Sequence, residues 1–130
     1  MKNVEVVAAV IVNNNHILAT KRGYGEFINM WEFPGGKVME GEDREDALLR
    51  EIKEELDVTI NIMGHFKTVE YDYDTFHLTM HCYLCTIKEG SVTLIEHKDG
   101  VWLTPNNLKT LTWLPADLTI IDDLIKHFDA

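Results

Sequence analysis

Apolar, mostly β-branched residues fill the stretch from Val4 to Val12, which predicts a buried strand. Asn13-Asn14-Asn15 reads as a turn, and His16 to Lys21 as the returning strand. Gly23 to Met30 holds two glycines and is expected to be a loop. Trp31-Glu32-Phe33 is a short extended piece that Pro34-Gly35-Gly36 should stop. Ala47, Leu48, Ile52 and Leu56 recur at helical spacing and predict a helix from about Arg44 to Leu56, with Asp43 as its N-cap and Glu45 and Asp46 favourable in its first turn. Val58 to Tyr71 and Thr75 to Ile87 alternate as two long strands, with Asp72-Tyr73-Asp74 as the hairpin turn between them. Gly100 to Leu103 is a further strand, and Pro105 to Leu108 a single helical turn. Leu118, Ile121, Leu124, Ile125 and Phe128 predict a last helix capped by Asp117. The order β-β-β-α-β-β-β-α predicts an α+β fold, with a mixed sheet and helices on its faces, in one domain over residues 1–130.

Composition narrows the partners. The formal net charge of -10 argues against a nucleic acid polymer, whose phosphates need a basic footprint. A small phosphorylated molecule stays possible if a metal ion screens the carboxylates. No apolar run is long enough for a signal peptide or a membrane span, so a cytoplasmic protein without a membrane partner is expected. Cys82 and Cys85, with His77 and His81 nearby, suggest zinc at first sight. Residues three apart on a strand point to opposite faces, so they read instead as reduced, partly buried thiols.

The acids are not evenly spread. Nine of the 22 acidic residues lie between Glu40 and Asp57. Glu51, Glu54 and Glu55 are related by steps of three and four, which puts them side by side on the predicted helix. Neighbouring carboxylates repel, and a divalent cation such as Mg²⁺ or Mn²⁺ removes that cost while bridging to phosphate. Arg50 is placed to pair with Glu54 at i+4, and Glu42 to fold back over the first turns. On charge alone, a solvated helix face is the commoner meaning of such a run.

The spacing around these glutamates changes that balance. Gly36, Glu42, Arg50-Glu51, Ile52, Glu54-Glu55 and Val58 stand at the intervals of the Nudix box, which this segment resembles at every fixed position but one. Asp57 occupies the place of the usual glycine, at the helix C-terminus where a left-handed residue is favoured. The flanking Trp31 to Lys37, the opening Val6 to Ile11 and the run Leu114-Pro115-Ala116-Asp117 are similar to MutT-type members of that family. The resemblance implies the Nudix fold, an α/β/α sandwich with a mixed sheet. It implies a Mg²⁺ or Mn²⁺ site at Glu51, Glu54, Glu55, the Gly35 carbonyl and Glu96. Arg50 would orient the carboxylates, and Glu51 or Glu54 would take the proton of the attacking water. Arg22, Lys37, Glu32 and Asp117 would meet the substrate.

The implied substrate is a nucleoside triphosphate, cleaved to the monophosphate and pyrophosphate. Asp117 accepts hydrogen bonds and donates only when protonated, which suits an oxidised guanine, as in 8-oxo-dGTP, or the amino group of cytosine in CTP or a modified dCTP. A Nudix-fold binding protein without turnover is the rival class, and a nucleotide-sugar or dinucleotide hydrolase another. All box carboxylates are present, which favours an enzyme. Trp31, Phe33, Phe76 and Tyr83 are the candidate stacking surface. The sequence does not choose between a monomer and a homodimer.

Overall fold

A computed structural model describes residues 1–129. Seven strands form the sheet: β1 (Lys2–Asn13), β2 (His16–Lys21), β3 (Trp31–Glu32), β4 (Gly35–Lys37), β5 (Thr59–Asp72), β6 (Phe76–Glu89) and β7 (Asp99–Leu103). Helix α1 (Arg44–Leu56) follows β4, and a 3-10 helix over Pro105–Thr110 leads to α2 (Pro115–Leu118) and α3 (Ile121–Phe128). The main sheet runs β3-β2-β1-β6-β5, with β4 against β1 and β7 against β2. Among the paired strands of the described residues, β1 and β6 run parallel, from Lys2↔Phe76 to Ile11↔Cys85, and the other pairs antiparallel, so the sheet is mixed as expected.

The unbroken apolar run of β1 is explained by burial on both faces. Val7, Ala9 and Ile11 face α1 and pack with Ala47, Leu48, Ile52 and Leu56. Ala8 and Val10 face the other way, toward Trp113, Ile120, Ile121 and Leu124 of the C-terminal segment. Two helical layers thus sandwich the sheet. Leu48, Ile52 and Leu56 are fully buried, and each contributes roughly 1.5–3 kcal/mol of burial. Cys82 belongs to one core and Cys85 to the other, so the zinc reading is excluded as the strand geometry predicted. Among the described residues no helix is long and apolar enough to cross a membrane.

Three expectations change. Pro34-Gly35-Gly36 does not end the extended chain: Gly35–Lys37 is itself a strand, antiparallel to Val6–Ala8. The backbones approach too closely for side chains there, since a Cβ on Gly35 would sit 1.9 Å from the Val7 carbonyl oxygen. The last helix is broken in two, and Asp117 lies within α2, not at an N-cap, because α2 already starts at Pro115 with Leu114 as its N-cap; the Asp117 carboxylate turns inward to accept the backbone N–H of Phe33 at 2.9 Å. Asp43 does occupy the N-cap position of α1, but its side chain makes no capping hydrogen bond. Asp57 adopts the left-handed conformation predicted for it, with φ 55° and ψ 39°.

Candidate active site

The last turn of α1, β4 and the loop between β6 and β7 meet at a cleft of about 760 Å³. Two backbone bonds join the loop to the helix. Thr93 N–H donates to the Leu56 carbonyl at 2.9 Å, and Ile95 N–H to the Glu55 carbonyl at 3.1 Å. These carbonyls have no partner within the helix, so the loop satisfies them and is latched beside the helix in return. Glu96 and His97 are thereby carried to the cleft wall with Glu51 and Glu55. On the other side Gly36 lies against Glu51, where a Cβ would come within 2.3 Å of its carboxylate.

Arg50 organises the helix surface behind this wall. Its Nε donates to Glu42 Oε2 at 2.8 Å, and its Nη2 to Glu42 Oε1 and to the Lys37 carbonyl, both at 3.0 Å. Nη1 donates to Glu51 Oε1 at 2.8 Å and only weakly to Glu54, at 3.5 Å. The expected i+4 pair with Glu54 is therefore the least of its contacts. Glu42 folds back as predicted and also accepts the Met39 N–H. The Arg50 hydrogen bonds, with that of Met39, hold Glu42 down at a pKa of about 2.

Glu55 is the acid under greatest stress. Burial pushes its pKa up to about 9, and the nearby charges of Glu51, Glu32 and Glu96 add to the shift. Its Oε2 is buried with no hydrogen-bond partner among the described residues. Its Oε1 lies 3.5 Å from His97 Nε2, which is also 3.7 Å from Glu32 Oε2. Glu32 in turn accepts from Arg22 at 2.8 and 3.2 Å, a bidentate pair. Neighbouring carboxylates and a bare, buried oxygen are the donor chemistry a hard divalent cation takes, and among the described residues no three such side chains are yet drawn together closely enough to hold one. Glu51, Glu55, Glu96 and the Gly35 backbone line the cleft and fit that group; Glu54 is more than half exposed and does not line it.

The cleft also has an apolar and aromatic lining. Tyr24, Phe27, Phe33, Tyr73, Phe76 and Met80 form it. Tyr73 stacks on Phe76 with ring centroids 4.9 Å apart and accepts the Ala116 N–H at 3.1 Å. Asp117 is buried among them, and this burial, with the charge of Glu32, raises its pKa to about 7 against the lowering effect of the Phe33 N–H.

Most predicted site residues therefore converge. Arg22, Glu32, Gly35, Lys37, Glu51, Glu55, Glu96 and Asp117 all line the cleft. Arg50 stands behind it, and Arg22 is bound to Glu32, not free. Of the candidate stacking rings, Phe33 and Phe76 reach the cleft; Trp31 and Tyr83 do not, being packed in the two cores. Sequence reasoning missed His97 and Tyr73. His97 directly follows a predicted ligand, which was a usable signal; Tyr73 reads as a hairpin residue because nothing in sequence shows that the turn folds over the cleft.

Comparison with known proteins agrees with this architecture. Residues 6–123 match the model of the NUDIX domain. The 8-oxo-dGTP diphosphatase of Escherichia coli (strain K12) is 32% identical over 126 residues, covering 95% of this chain and 98% of the relative. The CTP pyrophosphohydrolase of the same organism is 29% identical, covering 94% and 91%. Among solved structures, the DNA mismatch repair protein MutT, a Nudix hydrolase from methicillin-resistant Staphylococcus aureus 252, superposes with a TM-score of 0.78 at 38% identity, covering 98% of this chain and 99% of that one. With Gly36, Glu51 and Glu55 of the box at one cleft and the sandwich fold around them, this chain belongs to the Nudix family and is a hydrolase of the diphosphatase and pyrophosphohydrolase kind.

Proposed function

We propose that the protein is a Mg²⁺- or Mn²⁺-dependent pyrophosphohydrolase of the cytoplasmic nucleotide pool. It converts a nucleoside triphosphate to the monophosphate and pyrophosphate, with 8-oxo-dGTP as the preferred substrate. The carrying observation is the mixed lining of the cleft: carboxylates beside an unpartnered Glu55 oxygen, together with a buried Asp117 and aromatic rings. That lining suits a molecule that joins a polyphosphate to a base.

Glu51, Glu55, Glu96 and the Gly35 carbonyl would hold the cations, with Glu54 as a further ligand from the helix surface. When bound, such cations activate water and neutralise triphosphate charge. Arg50 holds Glu51 in place, and Glu51 or Glu54 accepts the proton of the attacking water. Water adds at the β-phosphorus, the bond to the α–β bridging oxygen breaks, and the monophosphate leaves with that oxygen. Arg22 and Lys37 offer positive charge to the phosphates, Arg22 once it exchanges its Glu32 partner for them. At the base, Asp117 as a carboxylate accepts from the N1–H and amino groups of an oxidised guanine.

The decisive measurement is pyrophosphate release from a panel of 8-oxo-dGTP, dGTP, CTP, a modified dCTP and a nucleotide sugar. The highest kcat/KM is expected for 8-oxo-dGTP. A preference for CTP would make cytosine, whose amino group Asp117 can equally accept, the base that is read. Absence of turnover with every substrate would make the protein a binder. Full activity of both Glu51→Gln and Glu54→Gln with Mg²⁺ would remove the assignment of the base.

A further inference from the structure

His97 is placed where a histidine serving only to stabilise the fold would be poorly used. Its side chain is 7% exposed, and its Nδ1 is buried with no hydrogen-bond partner. A stabilising core histidine satisfies both nitrogens, and an orphaned one needs another reason to be kept. Among the described residues the charged groups within 4 Å of its other nitrogen are Glu55 Oε1 at 3.5 Å and Glu32 Oε2 at 3.7 Å. The two oxygens of Glu55 are thereby distinguished: Oε1 faces the imidazole at 3.5 Å, and Oε2 has no hydrogen-bond partner among the described residues. Free rotation of a carboxylate would make the two equivalent. The ring breaks that equivalence, and the latched loop fixes the ring, since Ile95, two residues earlier, is bonded to the Glu55 carbonyl itself.

We propose that His97 is a positioning residue that holds Glu55 through Oε1 so that Oε2 is presented as a cation ligand. Through Glu32 the same nitrogen also borders the Arg22 pair, so one ring links the cation site to the group offered to phosphate. The proposal rests on the cation site of the preceding section. Outer partners that orient ligating carboxylates typically govern metal affinity by about 10–100-fold.

The test is direct Mn²⁺ titration of the full chain without nucleotide, followed by electron paramagnetic resonance of the free ion. His97→Leu removes the ring nitrogen that faces Glu55 Oε1. His97→Asn keeps a polar group too short to reach Glu55, and serves if the Leu variant fails to fold. His97→Gln puts an amide donor near the position of Nε2. The expected result is a loss of Mn²⁺ affinity of about tenfold or more in the Leu and Asn variants, with Gln within about threefold of the unaltered protein. A residue of merely structural importance would lower the melting temperature without this rescue pattern. Leu and Asn variants that bind Mn²⁺ as tightly as the unaltered protein, while Glu55→Gln binds it weakly, would overturn the role of His97 alone. An unaltered protein that binds no Mn²⁺, or a Glu55→Gln variant that binds it equally well, would overturn the cation site and this proposal with it.

Discussion

At the scale of single residues, two side chains are held under conditions that a stability measurement reads. Asp57 ends α1 at φ 55°, a conformation that costs an L-residue roughly 1 kcal/mol. Its exposed pair with Lys53, at 3.3 Å, returns little. Asp57→Gly is expected to raise the unfolding free energy by about 0.5–1 kcal/mol, read as a higher urea midpoint at unchanged slope. Glu55 works in the opposite sense. With its folded pKa raised to about 9, the native state holds a proton that the unfolded chain gives up. The resulting stabilisation is complete below the ordinary carboxylate pKa and is lost as pH rises toward 9. Cation-free protein should therefore lose stability between about pH 4.5 and 9 from this group. Glu55→Gln should be more stable than the parent by roughly 3 kcal/mol at pH 7, and by more at pH 8, without divalent ions, and thermal melts at several pH values check this. An equal or lower melting temperature for the variant at pH 8 would show that the carboxylate is not under that stress. Asp117, with a pKa of about 7, adds a separate signature in binding. As pH falls below 7 it gains a proton and loses an acceptor, so KM for 8-oxo-dGTP should rise while kcat, corrected for the other groups, moves less.

At the scale of elements, the site depends on pieces of chain clasped to α1. Arg50 ties the helix to the 3-residue strand β4 through the Lys37 carbonyl and to the preceding loop through Glu42. A lysine offers the charge without the planar fork, so it cannot serve Glu42, Glu51 and the carbonyl together. Arg50→Lys is expected to lower kcat by about 10²-fold with a smaller change in KM, because a catalytic carboxylate misplaced by about 1 Å costs that much. Steady-state kinetics would sink the idea if kcat stayed within a factor of three. This scale also shows what was readable in the chain beforehand. The helix and its glutamates were, because a period of 3.6 is a property of adjacent residues. The inward turn of Asp117 was not: its carboxylate accepts the N–H of Phe33, 84 positions away. Nor was β4, whose glycines resemble a turn until the carbonyl of Val7 is seen against them. His97 lay outside the box spacing, and only the folded loop shows which carboxylates it meets.

At the scale of the whole molecule, the sheet separates two apolar cores that share no buried side chain. Ile52 is fully buried under α1, and Leu124 is fully buried on the other face. Each change to alanine should cost about 2–5 kcal/mol, and the double variant should show the sum within about 0.5 kcal/mol. Only Ile52→Ala should also lower kcat, since Ile52 shares its helix with Glu51 and Glu55. Denaturant unfolding of the four proteins, with kinetics on the folded singles, checks both parts.

The parallel pairing of β1 with β6 has one more consequence, which concerns order in time. Val4 cannot find Leu78, nor Ile11 find Cys85, until most of the chain exists. During synthesis from the N-terminus the most apolar strand emerges early and its longest partner late. Contacts so far apart in sequence close slowly, and the waiting strand is an exposed edge prone to the wrong company. The strand that anchors the finished enzyme is thus the segment most in need of protection while the nascent chain is still on the ribosome.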